Sequence, residues 1–250
     1  MQSIPILIGA GLLSGAMNAL AGGGSFVSLP ALIAVGAPSV TANATSTLAL
    51  YPGGLASVWV YRADRGPVCG APLGLLAAVT VVGGLLGAVI LLATPSRLFD
   101  GILPWLLLTA TLALAFARRL GEALRGERPA PVAVIVAAQF LLGIYGGYFG
   151  GAVGLMMLAF WSVAGAGDLK ALQAPRTLLV SAANTAAVIY FALAGAVDWE
   201  KAAWFAPAGL VGGYLGAHLG KRLPAALVRW GTLALAASIT AVFFWRAYAR

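Results

Sequence analysis

Two glycine-rich segments interrupt apolar runs of this chain: Asn18-Ala19-Leu20-Ala21-Gly22-Gly23-Gly24-Ser25 and Gly146-Gly147-Tyr148-Phe149-Gly150-Gly151-Ala152-Val153-Gly154. Glycine is a poor residue for a helix interior, so we expect each segment to break or bend a helix. A backbone opened in lipid must find polar partners in protein or in water. The pair therefore predicts two broken helices that form a polar site at the middle of a bilayer.

The composition predicts an integral membrane protein. Apolar residues make up 61% of the 250 residues and charged residues only 9%, whereas soluble domains carry about a quarter charged residues. The net charge of +8 comes from Arg and Lys in short loops between apolar runs, which is typical of cytoplasmic loops and not of a nucleic-acid surface. With one cysteine and one histidine, we expect no metal site and no cofactor.

The apolar runs predict an all-α membrane protein. A helix needs about 20 residues to cross the hydrocarbon core. The runs 40–61, 68–93, 99–117, 170–196, 202–220 and 226–247 are long enough, whereas 25–36 and 153–166 are short and follow the glycine segments. We interpret the short runs as half-helices, which either re-enter or cross at a tilt.

The chain also repeats itself. Gly83-Gly84-Leu85-Leu86-Gly87-Ala88 recurs as Gly212-Gly213-Tyr214-Leu215-Gly216-Ala217, at an offset of 129 residues, and at that offset Gly22 aligns with Gly151. We therefore predict a first repeat (1–117), a charged cytoplasmic linker (118–131) and a second repeat (132–250). Loop charges place both termini outside. Each repeat, a glycine-broken hairpin plus three longer helices, is then inverted relative to the other, as in many secondary transporters.

Polar residues inside the apolar runs are the candidate binding residues, because each is costly in lipid unless it lines a cavity. The half-helices starting at Ser25 and Val153 would also aim free N–H groups at an anion. Arg176 either binds that anion or extends to the headgroups, and the asparagines either line the site or join helices. The predicted substrate contacts are Asn18, Gly22, Gly23, Gly24, Ser25, Asn43, Thr45, Ser46, Gly150, Gly151, Arg176, Thr177 and Asn184.

Motifs for catalysis are missing. The sequence has no HExxH motif and no P-loop, and its seven acidic residues all lie in loops or at the ends of apolar runs. An intramembrane enzyme would lack its acid and base, and an ATP-driven pump its nucleotide site. We therefore predict a protein that is not an enzyme.

The segment from Leu12 to Leu32 resembles the opening motif of the sulfite exporter TauE/SafE family of membrane transporters, and the segment from Gly143 to Gly154 is similar to its second-half signature. The resemblance implies transport of small sulfur-containing anions (sulfite, sulfonate or sulfoacetate type) across the cytoplasmic membrane. Where family members often carry Thr-Asn-Lys or Thr-Ser-Lys, this chain has Thr45-Ser46-Thr47 and Pro175-Arg176-Thr177, so Arg176 would supply the charge. An anion channel, a transporter of another small solute and a membrane-embedded accessory subunit stay open as alternatives, as does a homo-oligomer.

Overall fold

A computed structural model describes residues 3–62, 66–123, 130–166, 171–220 and 222–248, and these residues form ten helices with no β-strand. Five of the helices are long and apolar enough to cross a membrane. The predicted all-helical membrane fold is confirmed at this level. The ten helices are α1 Ser3–Ala21, α2 Ser25–Ala34, α3 Ser39–Val60, α4 Leu73–Ala93, α5 Ser96–Ala123, α6 Val132–Tyr148, α7 Val153–Val163, α8 Gln173–Leu193, α9 Trp199–Gly220 and α10 Ala225–Tyr248.

Both glycine segments interrupt the helical backbone, as the sequence predicts. The helix α1 ends at Ala21 and the 10-residue α2 begins at Ser25. In the second half, α6 ends at Tyr148 and the 11-residue α7 begins at Val153. The helix α5 continues to Ala123, so it includes the first part of the predicted linker. Of that linker, residues 124–129 lie outside the described residues.

Large apolar side chains cover the outer surface of the bundle. Leu193 is 83% exposed, and Trp59 and Trp245 are each 68% exposed. Continuous apolar surface of this kind is unfavourable in water, and the same surface suits the hydrocarbon of a bilayer. The inside contains apolar side chains that range from alanine to Phe205 and Trp161, together with several buried hydroxyl and amide groups.

Glycines allow two helix pairs to approach at backbone distance. A Cβ added to Gly212 of α9 would lie 2.0 Å from the carbonyl oxygen of Leu12 in α1. A Cβ added to Gly83 of α4 would lie 2.5 Å from the carbonyl oxygen of Phe140 in α6. Lipid gives no hydrophobic force between helices, so close backbone packing is a main source of their association. The contact of α1 with α9 is thus matched by that of α6 with α4, at the glycines that repeat along the sequence.

Two further helix pairs run antiparallel across the molecule. The hydroxyl of Tyr51 in α3 bonds that of Thr185 in α8 at 2.6 Å, and a Cβ added to Gly54 would lie 3.3 Å from Ser181 Oγ. Residue numbers therefore rise along α3 as they fall along α8.

The pair formed by α5 and α10 follows the same rule. The hydroxyls of Thr111 and Thr240 bond each other at 2.9 Å, and Arg229 donates to the carbonyl oxygen of Ala115 at 3.1 Å. These contacts join the first and second halves of the chain along two separate helix pairs.

Candidate functional site

The first glycine segment carries a chain of bonded polar groups. Gly22 has φ +71°, a conformation that favours glycine. The carbonyl oxygen of Gly24 accepts hydrogen bonds from Ser14 Oγ at 2.8 Å and from Ser28 Oγ at 3.2 Å. The Ser28 hydroxyl also bonds the Ser46 hydroxyl of α3. The predicted contact Ser46 therefore lies close to the first break, with its hydroxyl engaged inside the protein.

Asn18 and Ser25 lie beside this chain with their side chains unengaged. A Cβ added to Gly24 would lie 2.9 Å from Asn18 Cβ, so the asparagine packs on the turn. Within the described residues, neither the Asn18 amide nor the Ser25 hydroxyl makes a hydrogen bond, and both side chains are partly exposed. The polar groups that remain available at the first break are therefore on its open side.

The second glycine segment leaves the start of α7 with open backbone donors. Gly150 has φ +77° and Ala152 has φ +57°, both in the left-handed region. The N–H of Gly150 bonds the Tyr145 carbonyl oxygen, and the next bonded N–H, that of Leu155, donates to Ala152. In the described part of the chain, the N–H groups of residues 151–154 between them have no acceptor. They lie at the positive end of the α7 dipole.

Asn184 faces this second break. Its Oδ1 atom is buried and has no hydrogen-bond partner in the described part of the chain, and it lies 3.9 Å from the position of a Cβ added to Gly150. A buried amide oxygen without a partner is costly. Such an atom is consistent with a binding group whose partner is a ligand or water.

Arg176 packs along the first turn of α7. A Cβ added to Gly154 would lie 3.4 Å from Arg176 Cδ and 3.5 Å from Arg176 Cγ. Among the described residues its guanidinium has no hydrogen bond and no ion-pair partner. The side chain is partly buried. Arg176 therefore places a positive charge near the open end of α7.

The helix α3 joins the two halves of this region. Asn43 is 2% exposed, and its Nδ2 donates to the carbonyl oxygen of Tyr148 at the end of α6, at 2.9 Å. Thr45 is buried and its Oγ1 accepts the N–H of Asp198 at 3.0 Å. Thr177 donates to the Ala174 carbonyl oxygen in its own helix. The hydroxyls of Thr45 and Thr177 are thus engaged inside the protein.

Comparison with known proteins decides the family. A family model described as Sulfite exporter TauE/SafE matches residues 7–243. The chain belongs to this family. It is 34% identical over 224 residues to the "Probable membrane transporter protein YfcA" of Escherichia coli K12, covering 88% of this chain and 81% of that protein. It is 30% identical over 221 residues to the "Probable membrane transporter protein ORF9" of Sinorhizobium sp., covering 88% and 82%.

Membership of the TauE/SafE family confirms the resemblance noted from the sequence and identifies a multi-pass membrane transporter. A third relative, the "Probable membrane transporter protein" of Haemophilus influenzae Rd, is 28% identical over 221 residues. Among the described residues of this TauE/SafE protein, no group of three or more His, Cys, Asp or Glu side chains could hold a metal ion.

The polar groups of this TauE/SafE protein are unevenly distributed between the two breaks. Gly23 borders an apolar cleft of about 250 Å³ between α1 and α10, since a Cβ added to it would lie 3.4 Å from Thr232 Cγ2. Leucine, methionine, valine and glycine form most of that cleft, with no charged side chain. At the second break, backbone donors, Asn184 Oδ1 and the Arg176 guanidinium have no partner among the residues that the structure describes. An anion is therefore better matched by the second break than by the cleft.

Two residues of this TauE/SafE site are absent from the predicted set, namely Ser14 and Ser28. Their hydroxyls bond the Gly24 carbonyl oxygen and so hold the first break in shape. Both lie in apolar runs, which is the signal that singles out the other candidates. A serine hydroxyl can also bond a carbonyl oxygen of its own helix. The presence of Ser14 in the sequence therefore does not reveal that its partner is Gly24, ten residues away.

Proposed function

We propose that the protein is a secondary transporter that moves small sulfur-containing anions, of the sulfite, sulfonate or sulfoacetate type, across the cytoplasmic membrane. One observation carries this proposal: the N–H groups of residues 151–154, Asn184 and Arg176 converge on the second break without partners among the described residues. If an anion bound there, the N–H groups and the Arg176 guanidinium would each gain an acceptor, and Asn184 would donate to it once its amide is turned so that Nδ2 faces the anion.

The chemistry of these groups fits an oxyanion. Backbone N–H groups at a helix N-terminus bind sulfate-like and carboxylate groups through hydrogen bonds and the helix dipole. The guanidinium of Arg176 adds a full positive charge and planar donors, and the amide of Asn184 can present NH₂ donors if it is oriented toward the ligand. An anion surrounded in this way exchanges its water shell for fixed dipoles, which lowers the cost of entering a low-dielectric site.

The helix contacts support inverted repeats. Thr111 and Thr240 are separated by the 129-residue offset of the repeat, and their hydroxyls bond each other. Residues at equivalent positions of two repeats can contact each other only next to the two-fold axis that relates the repeats. Because α5 and α10 run antiparallel there, that axis is perpendicular to the helices, so the halves point in opposite directions. The antiparallel pair α3 and α8 gives the same relation.

Inverted halves around broken helices provide a mechanism of alternating access. In such transporters the site near the helix breaks stays in place, while one part rocks against the other and exposes the site to each side in turn. Here α3 and α8, which carry Asn43 and Asn184, contact each other. The helix α3 contacts both breaks, and α8 contacts the second. We propose that the substrate binds between them and the start of α7.

Uptake into liposomes tests the proposal. Purified protein is reconstituted, and the initial uptake of labelled sulfite, taurine, sulfoacetate and sulfate is measured for wild type, Arg176→Ala and Asn184→Ala. We expect saturable uptake of at least one sulfur anion, reduced about tenfold or more by either substitution, since a charge-assisted contact is worth about 1.5–3 kcal/mol.

Arg62→Ala is the matched control, because the Arg62 guanidinium is exposed, donates to the Trp59 carbonyl oxygen and lies 4.1 Å from the Trp59 ring centroid. It should transport as wild type does. Equal uptake by Arg176→Ala and wild type for every anion would refute the role of Arg176. Ion currents that do not saturate would instead indicate a channel.

A further inference from the structure

Two loops occupy equivalent positions in the two halves. The first loop, residues 66–72, directly precedes α4, and the second loop, residues 194–198, joins α8 to α9. At the 129-residue offset, Val68 corresponds to Val197. Val68 is 0% and Val197 is 6% exposed. Connecting loops normally lie on the surface, so a buried valine in the same place of both loops requires an explanation.

The first loop is inserted into the second half. Val68 and Ala71 bond each other through both backbone pairs, at 3.1 and 2.9 Å, around a two-residue turn with positive φ at Cys69 and Gly70. Both residues belong to a buried cluster with second-half side chains that include Trp161. The thiol of Cys69 donates to the Trp161 carbonyl oxygen at 3.6 Å. The turn thus covers the end of α7.

The second loop is held by the first half. Val197 belongs to the same buried cluster as Leu29 and Leu32 of α2. The N–H of Asp198 donates to Thr45 Oγ1 in α3 at 3.0 Å, and the Asp198 carboxylate pairs with Lys201 at the start of α9. Each loop is therefore anchored to the half from which it does not come.

We propose that the two loops are the two gates of the transporter, with Val68 and Val197 as the plugs, and that only one of them leaves its pocket at a time. This inference rests on the proposed alternating access. The structure has both plugs seated, which is the occluded arrangement. The first loop follows the C-terminal end of α3, whereas the second contacts Thr45 in the N-terminal part of that helix, so the two gates lie toward opposite ends of α3.

Opening of the first gate can be followed through the reactivity of Cys69, which lies in the first loop and is the single cysteine of the chain. Burial raises the pKa of the Cys69 thiol, although a hydrogen bond at the Ala166 backbone opposes this effect. Since the thiolate is the reactive form, alkylation is slow while the turn is seated. The rate of alkylation by N-ethylmaleimide, read by mass spectrometry of the Cys69 peptide, therefore reports how often the first gate opens.

Loosening the distant gate is the decisive perturbation. Val197→Asn unseats the second plug and favours the state in which the first gate is closed, so Cys69 should react at least about threefold more slowly than in wild type. Leu193→Asn, a change at an 83% exposed side chain near the same loop, should leave the rate unchanged. A Cys69 rate in Val197→Asn that equals or exceeds the rate in the control would overturn the proposal.

A disulfide that holds the second gate closed should change the Cys69 alkylation rate in the opposite direction. It also provides a test if Val197→Asn does not fold. The contact between Thr45 and Asp198 suits a cross-link in the double variant Thr45→Cys and Asp198→Cys. Oxidation locks the second gate shut, and Cys69 should then react at least about threefold faster than in the reduced protein. An unchanged or slower alkylation rate of Cys69 would contradict the proposal that the two loops open alternately. Neither measurement uses a substrate, so failure of the anion assignment is seen separately in the uptake assay.

Discussion

Gly15→Ala should separate α1 from α9. A Cβ added at Gly15 would lie 1.9 Å from the carbonyl oxygen of Gly209 and 2.8 Å from the backbone nitrogen of Gly213. The clash is with backbone atoms of a neighbouring helix, which no change of side-chain rotamer can relieve. Restoring an ordinary contact requires the two helices to move apart by about 1.5 Å, which reduces their packing along the interface.

The magnitude follows from comparison with Gly9→Ala in the same helix. A Cβ added at Gly9 meets nothing within 4 Å. Both substitutions gain the same helix propensity, about 1 kcal/mol, so the difference between them isolates the packing cost. Overpacking in a tight interior costs about 1–3 kcal/mol. We therefore expect Gly15→Ala to be less stable than Gly9→Ala by that amount.

The assay is reversible unfolding in mixed micelles by titration with sodium dodecyl sulfate, with thermal unfolding as a second measurement. The midpoint temperature of Gly15→Ala should lie about 2–12 °C below that of Gly9→Ala. Gly147→Ala, whose added Cβ would lie 1.9 Å from the Gly84 carbonyl oxygen in the other half, should behave like Gly15→Ala. Equal stability of Gly15→Ala and Gly9→Ala would refute backbone contact between α1 and α9.

Three further substitutions test single contacts. Tyr51→Phe removes the hydroxyl that donates to Thr185 between α3 and α8, and should lower the free energy of unfolding by about 1 kcal/mol in the same titration. Asn43→Leu leaves the last-turn carbonyl of α6 unpaired and should cost about 1–3 kcal/mol; no loss would show that this contact is dispensable. Burial acts to raise the pKa of Asp198, but the hydrogen bonds and charge of Lys201 outweigh it, so the pKa is lowered. Its carboxylate thus stabilises the fold above the ordinary Asp pKa of about 3.9, and this contribution is lost as the pH falls through the lower folded value. Asp198→Asn should lower the unfolding temperature at pH 7, and the unfolding temperature of this variant should drop less than that of wild type as the pH falls below 4. If the unfolding temperatures of the two proteins depend on pH in the same way, this role of Asp198 is contradicted.

The helix breaks could be predicted from sequence because their cause is local. Clustered glycines weaken a helix, and the helices indeed stop at Ala21, just before Gly22-Gly23-Gly24, and at Tyr148, just before Gly150-Gly151. The register between the halves needed the structure. The alignment pairs Gly22 with Gly151, whereas the left-handed conformation is shared by Gly22 and Gly150, one residue earlier. The backbone conformation at a break depends on how the next helix starts, and the positions of the glycines in the sequence do not determine this.

The partners of polar side chains could not be predicted, because they come from distant parts of the chain. Thr45 and Asp198 are 153 residues apart, and their contact engages a hydroxyl that the sequence assigns to substrate. Ser46 is likewise engaged, by Ser28. Asn184 is equally polar in the sequence, but its buried Oδ1 atom has no partner within the described residues. Only the packing of helices separates residues that hold the fold from those available to a ligand.

We expect an oxyanion to bind at the open start of α7. The most direct measurement is an anomalous difference map from crystals grown with selenite, the selenium analogue of sulfite. A selenium peak should appear with its oxygens about 3 Å from the N–H groups of residues 151–154, beside Asn184 and Arg176. A saturated crystal with its selenium peak elsewhere, or with none inside the protein, would rule out binding at this position.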